Sequence, residues 1–515
     1  MRTAWPHTPV HRSIANTSAP ASTKTQTNAN LMVPLVGTLG VGLGAYTAYS
    51  TLKTDDNLGN PSKDACASDD DDRRARRLRR WAEALSAEFP AADVRGTKGA
   101  GVGVFYVDGS EGKRGWFRKN RVLMTSPDAA VVSARTAAMD PKLGEKYADL
   151  MRDGTLPDER IAAMVFLMVE RRKGEASAWG GYIDALPRSY DAPLSLSDVE
   201  LERELKGTNV YDAAVAQRAK VREMFDENVR PAMRGLSEVA AASGDAKLAT
   251  SLNNATIDEF KWAFQTFWTR ALAIPVNDTG EVVEGIVPGI DMVNHSRTKA
   301  NARWEHVEDN TRPDGGVIAL VSNGKKLGHG DEIFIDYGES SSEALFFTHG
   351  FVPEDDDTVS DGKGEHLVLY APWSNEPASE RSEDVARRIE ALRLRNLPTN
   401  RVVLPARPPK RGIRDLEVEA KETLKVWVAD AFALDNATSS SSSSAAAVDD
   451  RSRVRIGDVL RAALGSKSAS LRDTERTEEP QTDATNRSIA IRRYRSSVRS
   501  TYDAWLDALA DRRKW

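Results

Sequence analysis

Three stretches of this chain set polar side chains into apolar or glycine-rich sequence. They are GVGVFYV at 101–107, VPGIDMVNHS at 287–296 and GDEIFIDYGESSSEALFFTHGFV at 330–352. Asn294 and His295 offer an amide beside an imidazole, Tyr337 offers a hydroxyl, and Arg270 a permanent cation. Each has an ordinary reading when taken alone. Asn294 and His295 read as a turn followed by a buried histidine, Tyr337 as a strand aromatic, and Arg270 as a cation complementing a helix C-terminus. Other chemistries fall away. With Cys66 as the one cysteine, neither a disulfide framework nor a cysteine zinc cluster can form, and no metal is expected. The acidic run Glu354–Asp357 reads as a solvated loop. Gly99, Gly101 and Gly103 lack dinucleotide-binding spacing, and a strand rather than a helix follows them.

The order and content of the three segments resemble the SET-domain methyltransferases, in the subgroup of the Rubisco large-subunit lysine methyltransferases and the actin-histidine methyltransferase. SAWGGYIDALP (177–187) and FKWAFQTFWTRA (260–271) share in the resemblance, which extends over about residues 90–515 and is clearest at 257–352. It implies an α+β fold: a SET-domain β core with a helical insertion, then a helical C-terminal substrate-binding domain. It implies S-adenosylmethionine as cofactor and a protein lysine as acceptor. Tyr337 is then the catalytic tyrosine. Ala100, Gly101, Val102, Asn294, His295 and Tyr337 hold the cofactor, while Arg270, Leu272, Ile290, Asp291 and His349 line the substrate channel.

The chain also departs from that pattern. His349 stands where lysine-modifying members commonly carry a second tyrosine. Leu272 and Ile290 stand where the actin-histidine enzyme has an asparagine and a tryptophan. Lysine is therefore expected, with a protein-histidine methyltransferase or a catalytically weak SET-like binding module as the alternatives. Methyl transfer is an in-line displacement from a sulfonium to a neutral amine, so alignment is the main requirement. Desolvation lowers the acceptor lysine's pKa. A tyrosine hydroxyl and backbone carbonyls can orient the amine and stabilise the polarised methyl through weak C–H···O contacts.

The elements that position these residues follow from periodicity. Leu78, Trp81, Leu85 and Phe89 recur at helical spacing, which makes the six arginines between Arg73 and Arg80 the wet face of a first domain helix. Asp158–Lys173 reads as a helix closed by Gly174. Another opens at Thr256 with a Thr256/Glu259 capping box, carries Phe260, Phe264, Phe267 and Ala271 on one face, and closes at Pro275. Trp179, Trp262 and Trp268 are expected in the core. Residues 101–107, 316–322, 331–337 and 366–371 read as strands, and 415–434 and 487–513 as amphipathic helices on either side of a flexible serine run.

At 515 residues the chain exceeds one compact core, and a net charge of -5 gives no support for nucleic-acid binding. Residues 1–72 read as a transit-like leader, free of acidic residues before Asp55, with an uncharged run at 31–52 long enough to cross a bilayer. That run is either a membrane anchor or part of a cleaved leader. Residues 73–352 are assigned to the SET domain, with its helical insertion at about 128–256, and 366–515 to the C-terminal domain. The expectation is a monomer acting on a protein substrate in an organelle, the plastid before the mitochondrion, with the cytoplasm as the alternative.

Overall fold

The computed structural model describes residues 67–97, 101–108, 121–275, 282–308, 316–338, 340–353, 365–374, 379–430, 434, 450–475, 485–512 and 515. The leader and its apolar run lie outside them, as does Ala100. Among the described residues no helix is long and apolar enough to cross a membrane. The chain divides into two compact units, one of residues 1–190 and 219–338, the other of residues 191–218 and 339–515.

The first unit joins several small sheets to helices. Strands β1 (Ala92–Thr97) and β2 (Gly101–Tyr106) form an antiparallel pair. Strand β3 (Val122–Pro127) lies in a three-stranded antiparallel sheet of order β3-β8-β7, with β7 at Ala302–Glu308 and β8 at Gly316–Ser322. Strands β4 (Ala271–Pro275) and β5 (Val282–Ile286) pair antiparallel. The two-residue strands β6 (Asn294–His295) and β9 (Phe334–Ile335) pair in parallel.

Helix α1 (Ala67–Ala84) buries Leu78 and Trp81. Helix α2 (Glu159–Lys173) starts where the Asp158 carboxylate accepts from the Arg160 N–H and ends at Gly174, with φ of 56°. Every residue from Ile161 to Glu170 is buried, as expected of a helix apolar on nearly all sides. Helix α3 (Ile257–Arg270) opens on the Thr256/Glu259 capping box and buries Phe260, Phe264 and Phe267.

The second unit packs helices against the pair β10 (His366–Tyr370) and β11 (Arg401–Pro405). Its helices include α4 (Ser342–His349), α5 (Val418–Val428), α6 (Asp450–Glu475) and α7 (Asn486–Ala510). Leu424 and Trp427 of α5, Ile456, Leu460 and Leu464 of α6, and Tyr502, Trp505 and Leu509 of α7 share one core. Each such side chain, removed from water, contributes roughly 1.5–3 kcal/mol before conformational entropy is charged against it.

Four sequence expectations change. Helix α3 stops at Arg270, not Pro275, because 271–275 find ladder partners in β5. Helix α1 stops at Ala84, so Phe89 is not on its stripe. Of the strand expected over 331–337, only Phe334–Ile335 pair as a strand; the residues before them hydrogen-bond singly along β2. Trp179 and Trp262 are core residues, but Trp268 is half-buried under Arg160.

Candidate active site

The site residues in the first unit are placed by three backbone junctions. The first lies along β2. Its Val104 carbonyl accepts from the Ile333 N–H (2.8 Å), and its Tyr106 N–H donates to the Asp331 carbonyl (2.8 Å). The first and third sequence segments therefore run side by side. The second junction is the β6–β9 pair, which sets Asn294 against Phe334 and His295 against Ile335. Asn301 braces it: its amide donates to the Glu332 carbonyl and accepts from the Phe334 N–H, each at 3.0 Å. All three segments meet at one point. The Asn294 amide donates to the Glu332 carboxylate (2.7 Å), and a Cβ on Gly103 would stand 3.2 Å from that amide and 3.0 Å from that carboxylate.

The third junction is the end of α3. Arg270 Nη1 donates to the Asp291 carboxylate (3.1 Å) and to the Asp291 backbone carbonyl (3.0 Å). The Asp291 side chain, wholly buried, also accepts from the Tyr182 hydroxyl (2.9 Å) and the Gly289 N–H (2.9 Å). Gly289 has φ of 90°, a left-handed conformation that glycine adopts without strain. Tyr182 is itself fully buried and stacks on Trp81, centroids 5.9 Å apart. Burial disfavours the Arg270 charge, yet Tyr190, Asp291 and Tyr182 together hold its pKa above the ordinary value. Burial pushes the Asp291 carboxyl up against the pull of Arg270, and pushes the Tyr182 phenol far up.

Tyr337 follows directly after β9 and Asp336. Its hydroxyl donates to the Val293 carbonyl (2.8 Å), and its N–H donates to His295 Nδ1 (3.0 Å). The two rings lie 4.9 Å apart. Burial pushes the Tyr337 phenol up to about 12; Arg270 pulls it down, and Asp291 and Glu332 add to the rise. The hydroxyl is thus a neutral group at physiological pH. It donates one hydrogen bond, and a phenol oxygen can also accept.

Of the remaining expected site residues, Gly101 has φ of 72° and open space where a Cβ would sit, so its backbone can be approached closely. Val102 is buried opposite Gly96 in the β1–β2 pair. Leu272 and Ile290 are buried, one on β4 opposite Gly285, the other in the turn before Asp291. His349 belongs to the second unit. It ends α4, with Nδ1 2.6 Å from the Thr348 hydroxyl and its ring 5.9 Å from that of Phe351. Sequence reasoning missed Tyr182 and Glu332 as members of the site, while Gly103 fell within the glycine-rich 101–103 stretch expected to meet Asn294. Tyr182 sits inside the quoted 177–187 segment, and Glu332 is an acid beside an apolar run; those were the available signals.

No protein-family model matches the chain. Among curated proteins it is 26% identical over 220 residues to an actin-histidine N-methyltransferase of Danio rerio, a match covering 42% of this chain and 33% of that protein. It is 27% identical over 203 residues to SET domain-containing protein 4 of Homo sapiens, covering 38% of this chain and 42% of that one. These matches thus span between a third and a half of each relative's length. Among solved structures, Rubisco LSMT bound to AdoMet matches with a TM-score of 0.58 at 16% identity, over 85% of this chain and 92% of that one. A SET domain of LSMT bound to methyllysine and AdoHcy matches with a TM-score of 0.59 at 16% identity and the same coverage. The fold is that of the SET domain of Rubisco LSMT. The expectation of α+β architecture with a helical C-terminal region stands.

Proposed function

We propose that this protein is an S-adenosylmethionine-dependent protein methyltransferase whose acceptor is a lysine side chain. One observation carries the reading: Gly103, Asn294 and Glu332 meet at a point, and the buried Tyr337 hydroxyl is held one residue away against the Val293 carbonyl. The names of the relatives and the ligands of the solved neighbours support it. The residues fit the cofactor, because the left-handed Gly101 leaves open space beside its backbone. Ala100, Gly101, Val102, Asn294 and His295 would hold it, and when bound it supplies a methyl group activated by a sulfonium.

The chain's own residues do the rest. The Tyr337 hydroxyl, neutral and fixed by its bond to Val293, presents lone pairs to orient an amine and contact a polarised methyl. The Arg270–Asp291 pair holds the 289–295 segment in register and so fixes the Val293 carbonyl. An acceptor lysine entering apolar surroundings loses the water that favours its charged form. Leu272 offers no polar atom to hold the distal nitrogen of an imidazole, which favours lysine over histidine. The acid-poor leader supports import into an organelle, the plastid before the mitochondrion, with the 31–52 run as either a membrane anchor or part of a cleaved leader. A fluorescent fusion of residues 1–72 that stays in the cytosol would contradict that location.

Calorimetry tests the cofactor site. The wild type should bind S-adenosylmethionine, and Asn294→Ala should weaken binding by roughly 1–3 kcal/mol, the range for a lost buried hydrogen bond. No binding by the wild type at millimolar cofactor would sink the proposal.

A further inference from the structure

The arginines of α1 are only partly used by the fold. Arg74 is fully engaged: it donates to the Asp184 and Leu186 carbonyls, each at 2.6 Å, and pairs with Asp71 at 3.0 Å. Arg79 pairs with Asp93 at 2.6 Å and lies over the Phe89 ring. Arg73 and Arg77, with Arg74, line a cavity of about 360 Å³ whose walls also carry Arg171 and Arg188.

The acids around it do not match these cations. Glu170 is fully buried and committed to Lys173 (2.5 Å) and Ser177 (2.7 Å). Asp184 pairs with Arg77 at 2.8 Å. Asp70 is shared, bonded by Arg73 and 4.0 Å from Arg188. Arg171 has no carboxylate within ion-pair reach among the described residues, and its guanidinium lies 4.2 Å from the Trp262 ring centroid. Burial lowers the Arg171 pKa against the opposing pull of Glu259 and Tyr190, Arg188 adds like-charge repulsion, and the Glu259 carboxylate is itself paired with Arg172 at 2.5 Å. Arg171, and one of the two arginines sharing Asp70, therefore lack a carboxylate of their own.

We propose that this cavity binds a multiply charged phosphate-bearing anion, the phosphate or pyrophosphate group of a soluble compound. Guanidinium forks take phosphate oxygens two at a time, and exposed ion pairs such as Arg73–Asp70 are weak enough to give way. A concave site suits a compact soluble anion better than a membrane surface. The proposal stands on the arginine geometry and does not depend on methyl transfer.

Calorimetry of the full chain with inorganic pyrophosphate at low salt should show saturable binding at one site. Arg171→Gln combined with Arg188→Gln should weaken it about tenfold or more, as expected for two lost charge-assisted contacts. Arg76→Gln, on an exposed position of the same helix outside the cavity, should leave it nearly unchanged. Arg188→Gln alone, at a side chain 82% exposed, serves if the double variant does not fold, and should still weaken binding measurably. Equal weakening by Arg76→Gln, no saturable binding, or capture only by vesicles containing phosphatidic acid would overturn the proposal.

Discussion

Asp291 shows how much of the site rests on single side chains. Its carboxylate is buried and takes hydrogen bonds from Arg270, Tyr182 and Gly289, each near 3 Å. Removing it strands a mostly buried guanidinium, since the Arg270 side chain is only 15% exposed. Asp291→Ala should therefore cost about 3–5 kcal/mol of stability, the range for breaking one side of a buried ion pair. Urea unfolding would read the loss; a midpoint within about 0.5 kcal/mol of wild type, the scatter of neutral surface changes, would contradict it. Asn294, His295, Tyr337 and Arg270 could be singled out in the sequence only through the order they share with the resembled family, since each has an ordinary reading when taken alone. Tyr182 could not: its partner lies 109 residues away, and nothing in the local pattern separates a hydrogen-bonding tyrosine from a core one.

At the scale of elements, strand β2 has to approach the Asn294–Glu332 pair closely, and Gly103 permits it. A Cβ there would meet Thr97 Cγ2 at 2.7 Å as well as the carboxylate and the amide. Gly103→Ala should push β2 away and weaken S-adenosylmethionine binding about tenfold, while overpacking costs roughly 1–3 kcal/mol of stability. Wild-type affinity in this variant would show that β2 is not held against the site. The start of α3 was readable from its capping box, because those hydrogen bonds close within four residues. Its end was not. Ala271 continues the helical stripe by spacing, yet it turns into β4 because β5 supplies ladder partners from beyond the next loop. The apolar run at 316–322 became β8 without change, buried along nearly its whole length. The 331–337 run, equally strand-like, is held mostly by single bonds to β2 and the Asn301 side chain.

The whole molecule carries buried tyrosines in both units. Burial pushes Tyr337 up to about 12 and raises Tyr182 and Tyr494 well above the ordinary phenol value. A phenol with a raised folded pKa binds its proton more tightly in the native state. Its contribution is complete below the unfolded value near 10 and is lost as pH rises through the folded value. Stability should therefore fall steeply between about pH 10 and 12, which denaturant midpoints across that range would show. A flat profile would mean that these phenols are not shielded.

At working pH, well below its raised pKa, the Tyr337 hydroxyl carries its proton, as the proposed methyl transfer calls for. The most direct measurement supplies S-adenosylmethionine carrying an isotopically labelled methyl to the purified chain together with soluble protein from its source cells. Mass spectrometry then maps the label. Label on one or a few lysines of another protein, reduced about 10²-fold by Tyr337→Phe, is the expected result. Label on histidines alone, or the same lysine label with Tyr337→Phe as with the wild type, would contradict it.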